Sequence, residues 1–425
     1  MSGSEIDRVR GLEVLDSRGR PTLEATVVLR NGVAGRASVP SGASTGRHEA
    51  VERRDGDAAR YGGRGVRDCV RTIADEVGPA LAGHDCREQR AVDDLLIELD
   101  GTTDKSRLGA NTTLAVSLAV ARAAATAGGL ELWQHLAGAA EPLLPLPMVN
   151  MISGGAHASG GVDFQDFLAI PVGASTFAEA LELSVAVRDS LGDRLAAHGL
   201  TTLKGDEGGF GPPLASADDA LAILVEAVDA AGLALGTDVA FASDVAATQL
   251  FDPATDRYRV GGEQLTSPDL LAVLGDLVRR YPIVSLEDPV AEDDWDGWRL
   301  ATELLGARVQ LIGDDLFVTN GERLARGIEL GVANAVLVKM NQAGTLTETL
   351  DVAAQARAAG YATVVSARSG ETEDDALADL AVATRAGQIK VGSIAQSERL
   401  AKYNRLLRIE AEHGAEFAGA SELPS

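Results

Sequence analysis

Hydrophobic and polar positions follow two rhythms along the chain. Residues 24–30 (EATVVLR) and 35–39 read as short strands around the turn residues Asn31-Gly32, which predicts an antiparallel hairpin. A Gly/Ser loop, SVPSGASTG (residues 38–46), follows, and then helical spacing over 65–82, 87–99 and 111–127. Strands followed by helices predict a small α+β domain. The proline-rich stretch GAAEPLLPLP (138–147) marks its end, so we place the domains at residues 1–138 and 139–425. Beyond it, short apolar runs alternate with amphipathic stretches. The runs are 146–152, 167–170, 201–203, 239–242, 283–286, 309–312, 335–338, 362–365 and 388–391. The amphipathic stretches include 217–231, 267–279, 346–359 and 374–386. Repeated βα units predict an α/β fold with a parallel sheet, as a barrel or doubly wound. The tail after Glu410, rich in Ala, Gly and Glu, reads as loose.

Composition narrows the field. Hydrophobic residues make up 45% and charged residues 24% of the 425, a globular balance. The most apolar stretch, 114–130, is Ala-rich and interrupted by Arg122, so it reads as a buried helix rather than a membrane span. The opening MSGSEIDRVRG has no apolar core, and a cytoplasmic location is expected. Cys69 and Cys86 make neither a disulfide framework nor a Cys-based metal site. The net charge of −25 argues against nucleic acid or an anionic membrane as partner, so an anionic substrate needs a cationic pocket or a metal. Only five of the 38 basic residues are lysines: Lys105, Lys204, Lys339, Lys390 and Lys402. Arg cannot be deprotonated and Lys can, so a lysine kept against this bias marks a place where a base is useful.

The ends of the apolar runs carry the candidate chemistry. Run 239–242 leads to Asp244, 283–286 to Glu287, 309–312 to Asp314 and Asp315, 335–338 to Lys339, and 362–365 to Arg368 and Ser369. Run 388–391 contains Lys390, and 201–203 leads to Asp206 and Glu207. In a βα barrel these positions meet at the C-terminal rim, where such enzymes work. Adjacent carboxylates need a cation, and an oxygen-only ligand set suits Mg2+. A metal held by Asp244, Glu287 and Asp314 would bind a substrate carboxylate and acidify the neighbouring C–H. Lys339 would be the base, its charge suppressed by the metal and Lys390, and Glu207 would be the acid that helps a β-leaving group depart. The loop around Ser44 reads as a lid whose hydroxyl reaches a second metal. His157, in GGAHASGG (154–161), reads as a residue of a mobile loop over the site.

These residues stand in motifs that resemble the enolases over nearly the whole chain. The motifs are LDSRGRPT (15–22), SVPSGASTG, LDGT (99–102), LGAN (108–111), GDEGG (205–209), SLED (285–288), GDDL (313–316), KMNQ (339–342), RSGETE (368–373) and GQIKVGS (387–393). The resemblance implies a modified (βα)8 barrel with an N-terminal α+β capping domain, a homodimer or larger homo-oligomer, and two Mg2+ ions. It implies a small phosphorylated or phosphonylated substrate of the 2-phosphoglycerate or enolpyruvyl type. Asp244, Glu287, Asp314 and Ser44 would serve the metals; Lys339, Glu207, Asp166 and His157 would be catalytic. Gln165, Arg368, Ser369, Lys390 and His157 would hold the substrate's charged groups, with Ala367 beside them.

Three positions depart from the family pattern. Ser366-Ala-Arg-Ser-Gly-Glu371 has Ala367 where enolases carry His, Gln165-Asp-Phe167 has Asp166 for Glu, and Ser153-Gly-Gly155 has Ser for Asn. All three fall on the leaving-group side. They lead us to expect a divergent paralogue, of the carboxyphosphonoenolpyruvate synthase kind found in phosphonate biosynthesis. The alternatives are an ordinary phosphopyruvate hydratase and a catalytically silent scaffold.

Overall fold

The computed structural model describes residues 3–43, 45–158, 160–421 and 423. Strands Ile6–Leu15, Pro21–Leu29 and Ala34–Ser38 form an antiparallel sheet in that order. The hairpin turns are built by local side chains. Asp16 Oδ1 accepts from the backbone of Arg18 and Arg20, and Asn31 Oδ1 accepts from Val33 N at 2.9 Å. The Ala-rich helix Ala110–Ala127 packs on this sheet. Gly35 permits the contact: a Cβ there would stand 2.2 Å from the Ala119 carbonyl and the Ala123 nitrogen. The expected helix over 65–82 runs from Arg67 to Leu81 with a π-turn at Ile73–Val77, just before Pro79, which cannot donate to the ladder.

The remainder forms a closed barrel. In chain order its strands are Leu146–Ser153, Asp166–Ile170, Ala240–Asp244, Ile283–Glu287, Gln310–Gly313, Ala335–Val338, Ala362–Ser366 and Gly387–Gly392. The second strand lies antiparallel to the first and third, which corrects the expected all-parallel sheet. The cause is the connection: among its described residues between 154 and 165 the helical element is the 3₁₀ turn Gly155–His157, and a parallel return needs a longer helical crossover. Helices Phe177–Ala197 and Ala217–Ala230 then both lie between the second and third strands. Run 201–203 is not a strand; it is an irregular connection in which Leu203 is 76% exposed. The tail is also more ordered than expected. Helix Ser397–His413 continues through it, and Glu416–Phe417 pairs with Leu143–Leu144.

Thr176, Ser216, Thr266, Asn320 and Thr345 each cap the helix that follows by accepting a first-turn backbone N–H. Such caps contribute about 1 kcal/mol apiece. Inside the barrel, Leu146, Met148, Leu168, Ile170, Ala242, Ile312, Leu337 and Val364 form a closed apolar layer. A strand's side chains alternate faces, so two residues past Ala242, Ile312 and Leu337 stand Asp244, Asp314 and Lys339. The apolar floor thus sets the direction of the polar groups above it. Because the second strand runs the other way, its first residue, Asp166, reaches the same rim.

Candidate active site

The rim gathers acids and cations from separate strands. Lys390 Nζ, on the eighth strand, donates to Asp244 Oδ2 at 2.8 Å and to Glu287 Oε2 at 2.6 Å. Lys339, just past the sixth strand, donates to Asp314 Oδ2. All five side chains are buried or nearly so. Burial, reinforced by Asp244 and Asp314, pushes the Glu287 carboxyl well above the usual carboxylate range. Burial opposes the charge of Lys390, but Asp244 and Glu287 outweigh it and hold the amine well above its usual value.

Lys339 also lies above its usual value: burial works against its charge, and the adjoining Asp314 more than compensates. This corrects the expectation of a suppressed amine, because here the nearest charge is a carboxylate in direct contact. Asp314 is held low, Lys339 outweighing the effect of burial.

Asp244, Glu287 and Asp314 are not drawn into one tight set; the two ammonium groups stand among them. Among the described residues, the buried trios whose donor atoms lie within 4.8 Å of one another are His157–Asp166–Glu207 and Asp288–Asp314–Asp315. Three buried, oxygen-only acids, one of them destabilised by the others' charge, fit a hard divalent cation. Asp288 serves the backbone instead: its two oxygens accept from Asp314 N at 3.0 Å and Asp315 N at 2.8 Å, fixing the turn that presents Asp314. Ser44 lies outside the described residues.

A second cluster sits beside the first. His157 Nδ1 faces Asp166 Oδ2 at 2.8 Å, and its Nε2 lies 3.8 Å from Glu207 Oε1. Glu207 does not end a strand. It lies in the loop before Ala217–Ala230, its carbonyl accepting from Ser393 N at 2.8 Å. Burial would lower His157, but the charges of Asp166 and Glu207 push it up to about 9. Burial raises Glu207, and His157, Arg399 and the two lysines outweigh it, so it is held as a carboxylate. Gln165 Nε2 donates to Asp244 Oδ2 at 3.0 Å, tying the two clusters together.

The substrate-binding candidates form the third group. Arg368 Nη1 donates to Glu49 Oε2 at 2.8 Å and to Asn341 Oδ1 at 3.3 Å. Ser369 Oγ accepts from Ala43 N at 2.7 Å, so the loop that carries Ser44 is anchored to the seventh-strand end. Ala367 is buried, its N–H bonded to the Lys390 carbonyl at 2.9 Å.

The sequence reading missed Glu49, Asn150 and Gln342. Gln342 donates to Asp314 Oδ1 at 2.8 Å and, with Lys339, holds both oxygens of that acid. Its signal was its place three residues after Lys339.

A capped βα barrel with acids, amines and an imidazole converging on one buried rim is an enzyme's architecture. The family model described as "Enolase, N-terminal domain" matches residues 6–136, and "Enolase, C-terminal TIM barrel domain" matches residues 141–424. The chain is 55% identical to the enolase of Acidothermus cellulolyticus, 54% to that of Mycobacteroides abscessus and 53% to that of Kineococcus radiotolerans. Each comparison spans 421 residues, 99% of this chain and 97% of the relative. The chain belongs to the enolase family, whose members are Mg2+-dependent lyases.

Proposed function

We propose that the protein is a phosphopyruvate hydratase that removes water from 2-phosphoglycerate to give phosphoenolpyruvate. The observation that carries this reading is the pairing of two proton-handling groups with one rim: Lys339 at a strand end and Glu207 in a separate loop. Identity of 53 to 55% over nearly the whole chain to proteins named enolase supports the ordinary reaction. The expectation of a carboxyphosphonoenolpyruvate synthase gives way, since nothing in the relatives points to a second co-substrate. Ala367, Asp166 and Ser153 remain as variations within this reading.

In this reading Asp244, Glu287 and Asp314 would hold one Mg2+ and Ser44 would serve a second. A metal bound there would supply positive charge to offset that building on the substrate carboxylate as C2 loses its proton. Lys339 Nζ would take that proton once Asp314 turns to the metal and no longer holds the amine in its charged form. The C3 hydroxyl takes a proton by way of Glu207 and departs as water. Arg368, Ser369, Lys390 and Gln165 hold the phosphate and carboxylate. The enzyme works in the cytoplasm as a homodimer or larger ring, its two domains meeting near residue 138.

The test is direct. The protein is mixed with Mg2+ and 2-phosphoglycerate in deuterated buffer, and enol absorbance and C2 exchange are followed together. Rapid formation of phosphoenolpyruvate is expected. Exchange without dehydration, or neither, overturns the reading.

A further inference from the structure

Asn150 and Ser153 lie on the first barrel strand, fully buried, and no part of the mechanism above uses them. Ser153 and Asp166 are register partners across the antiparallel pair, which sets their side chains on one face. Ser153 Oγ donates to Asp166 Oδ1 at 2.9 Å, and Asn150 Nδ2 donates to the same oxygen. Asn150 Nδ2 also reaches Ser153 Oγ at 3.1 Å. The opposite orientation of the Asn150 amide would set two acceptor oxygens together, so the donor faces the carboxylate. The other oxygen of Asp166 is taken by His157 Nδ1. Asp166 is fully buried, and both its oxygens are engaged.

Burial pushes the Asp166 carboxyl above its ordinary value, and the charge and hydrogen bond of His157 work the other way, as do the two hydrogen bonds from Asn150 and Ser153. The proton of the pair then rests on His157, and the imidazolium turns Nε2–H toward Glu207.

We infer that Asn150 and Ser153 are positioning residues of the acid half of the site: by filling one oxygen of Asp166 they keep it a carboxylate whose second oxygen holds a protonated His157 against Glu207. The catalytic consequence rests on the hydratase reading. Glu207 is a carboxylate at rest, so the proton taken by the departing hydroxyl is stored on His157 Nε2. It passes to Glu207 Oε1 and then to the leaving oxygen, which goes as water. The shorter side chain of Asp166 suits this role, since both its oxygens are taken by Asn150, Ser153 and His157. The charged groups that face the pair are Glu207 from its loop, Asp244 from the third strand and Lys390 from the eighth.

The experiment is an NMR titration of the whole protein with 15N-labelled imidazoles. The His157 signal is assigned by its loss in His157→Gln. In Ser153→Ala the 15N shifts of His157 at neutral pH are expected to move toward those of a neutral imidazole, because Asp166, short of one hydrogen bond, takes a larger share of the proton the two groups hold. Asn150→Ala is expected to move the same signal the same way. kcat for dehydration at neutral pH should fall with the share of protonated imidazole, with KM unchanged. In the double variant Ser153→Ala/His157→Gln the hydroxyl should no longer affect kcat. Ser184→Ala is the control, since that buried hydroxyl donates to Ala180 O at 2.8 Å, within its own helix. A His157 signal that stays in place in both Ser153→Ala and Asn150→Ala overturns the inference, whatever the turnover. A signal that moves in a protein that does not dehydrate 2-phosphoglycerate supports the network and overturns only the reading of function.

Discussion

Arg368 and Glu49 form a buried ion pair at 2.8 Å between positions 319 residues apart. The guanidinium follows the seventh barrel strand, and the carboxylate belongs to the segment that links the N-terminal sheet to its helices. Glu49 Oε1 also accepts from Gly46 N at 2.9 Å and Gln342 Nε2 at 3.3 Å. One side chain therefore joins the Gly/Ser loop, the phosphate-binding candidate and the amide that holds Asp314.

Glu49→Gln should cost stability. Removing one partner of a buried ion pair leaves the other charge short of compensation, at about 3 kcal/mol. Asn341 keeps one contact to Arg368, so the loss should sit at the low end of such cases. The check is the denaturant midpoint, which should drop with an unchanged slope. The affinity for inorganic phosphate should rise, because Arg368 loses a competing anion. An unchanged midpoint would show that the pair does nothing for the fold.

Lys339→Ala should abolish proton removal while leaving the rest of the rim intact. General-base groups contribute roughly 100- to 10,000-fold to rate. C2 exchange and dehydration should fall together by that order, with KM nearly constant, since Arg368 and Ser369 remain. Loss of dehydration with exchange preserved would move the base elsewhere, and Lys390 would be the next candidate.

Much of this rim was legible in the chain because it obeys a period. Asp244, Asp314 and Lys339 stand two residues beyond apolar positions that fill the barrel, so the run itself aims them. The direction of the second strand was misread as parallel, although no helical pattern between 152 and 166 allowed a parallel return. Run 201–203 misled because two threonines and a leucine are too short a pattern to report burial, and Leu203 faces solvent. Asn150 gave a signal that was not used: a polar residue inside the buried run PMVNMIS must find a partner. Glu49 gave none, because its partner is remote in the chain and no local period marks it.

Gly35→Ala should be severely destabilising. The added Cβ would meet backbone atoms of Ala119 and Ala123, which cannot swing aside as a side-chain tip would. The helix must back away from the sheet, opening the contact along its length, at about 3 kcal/mol or more. Unfolding midpoints of Gly35→Ala and of Gly32→Ala separate the causes. At Gly32 nothing lies within 4 Å and only its φ of +85° is strained, so the cost there should be about 1 kcal/mol.

The pH dependence of stability follows from His157. Its folded value, about 9, lies above the ordinary value of about 6.5. Its contribution is therefore complete below about 6.5 and is lost as pH rises through about 9. A shift of that size corresponds to about 3 kcal/mol at full effect. The midpoint of the native protein should fall between neutral pH and 10, and that of His157→Gln should fall less. Equal slopes in the two proteins would mean that the proton does not rest on this imidazole.

Magnesium should stabilise the fold through the three acids of the rim. A ligand that binds only the folded state adds about 2.7 kcal/mol when present at about 100 times its Kd. Two ammonium groups now offset charge on these acids, so an added divalent ion must compete with Lys390 for Asp244 and Glu287. Glu287→Gln keeps the size of the side chain and an oxygen to accept from Lys390, and Asp244 remains beside that amine. The metal-free variant should therefore unfold near the native midpoint, while the rise in midpoint on adding Mg2+ should largely vanish. Asp94→Asn, on an exposed part of helix Gln89–Asp100, should keep the full rise and so report any non-specific effect of the salt. A Glu287→Gln protein that Mg2+ stabilises as much as the native one would place the ion elsewhere, the Asp288–Asp314–Asp315 cluster being the next to examine.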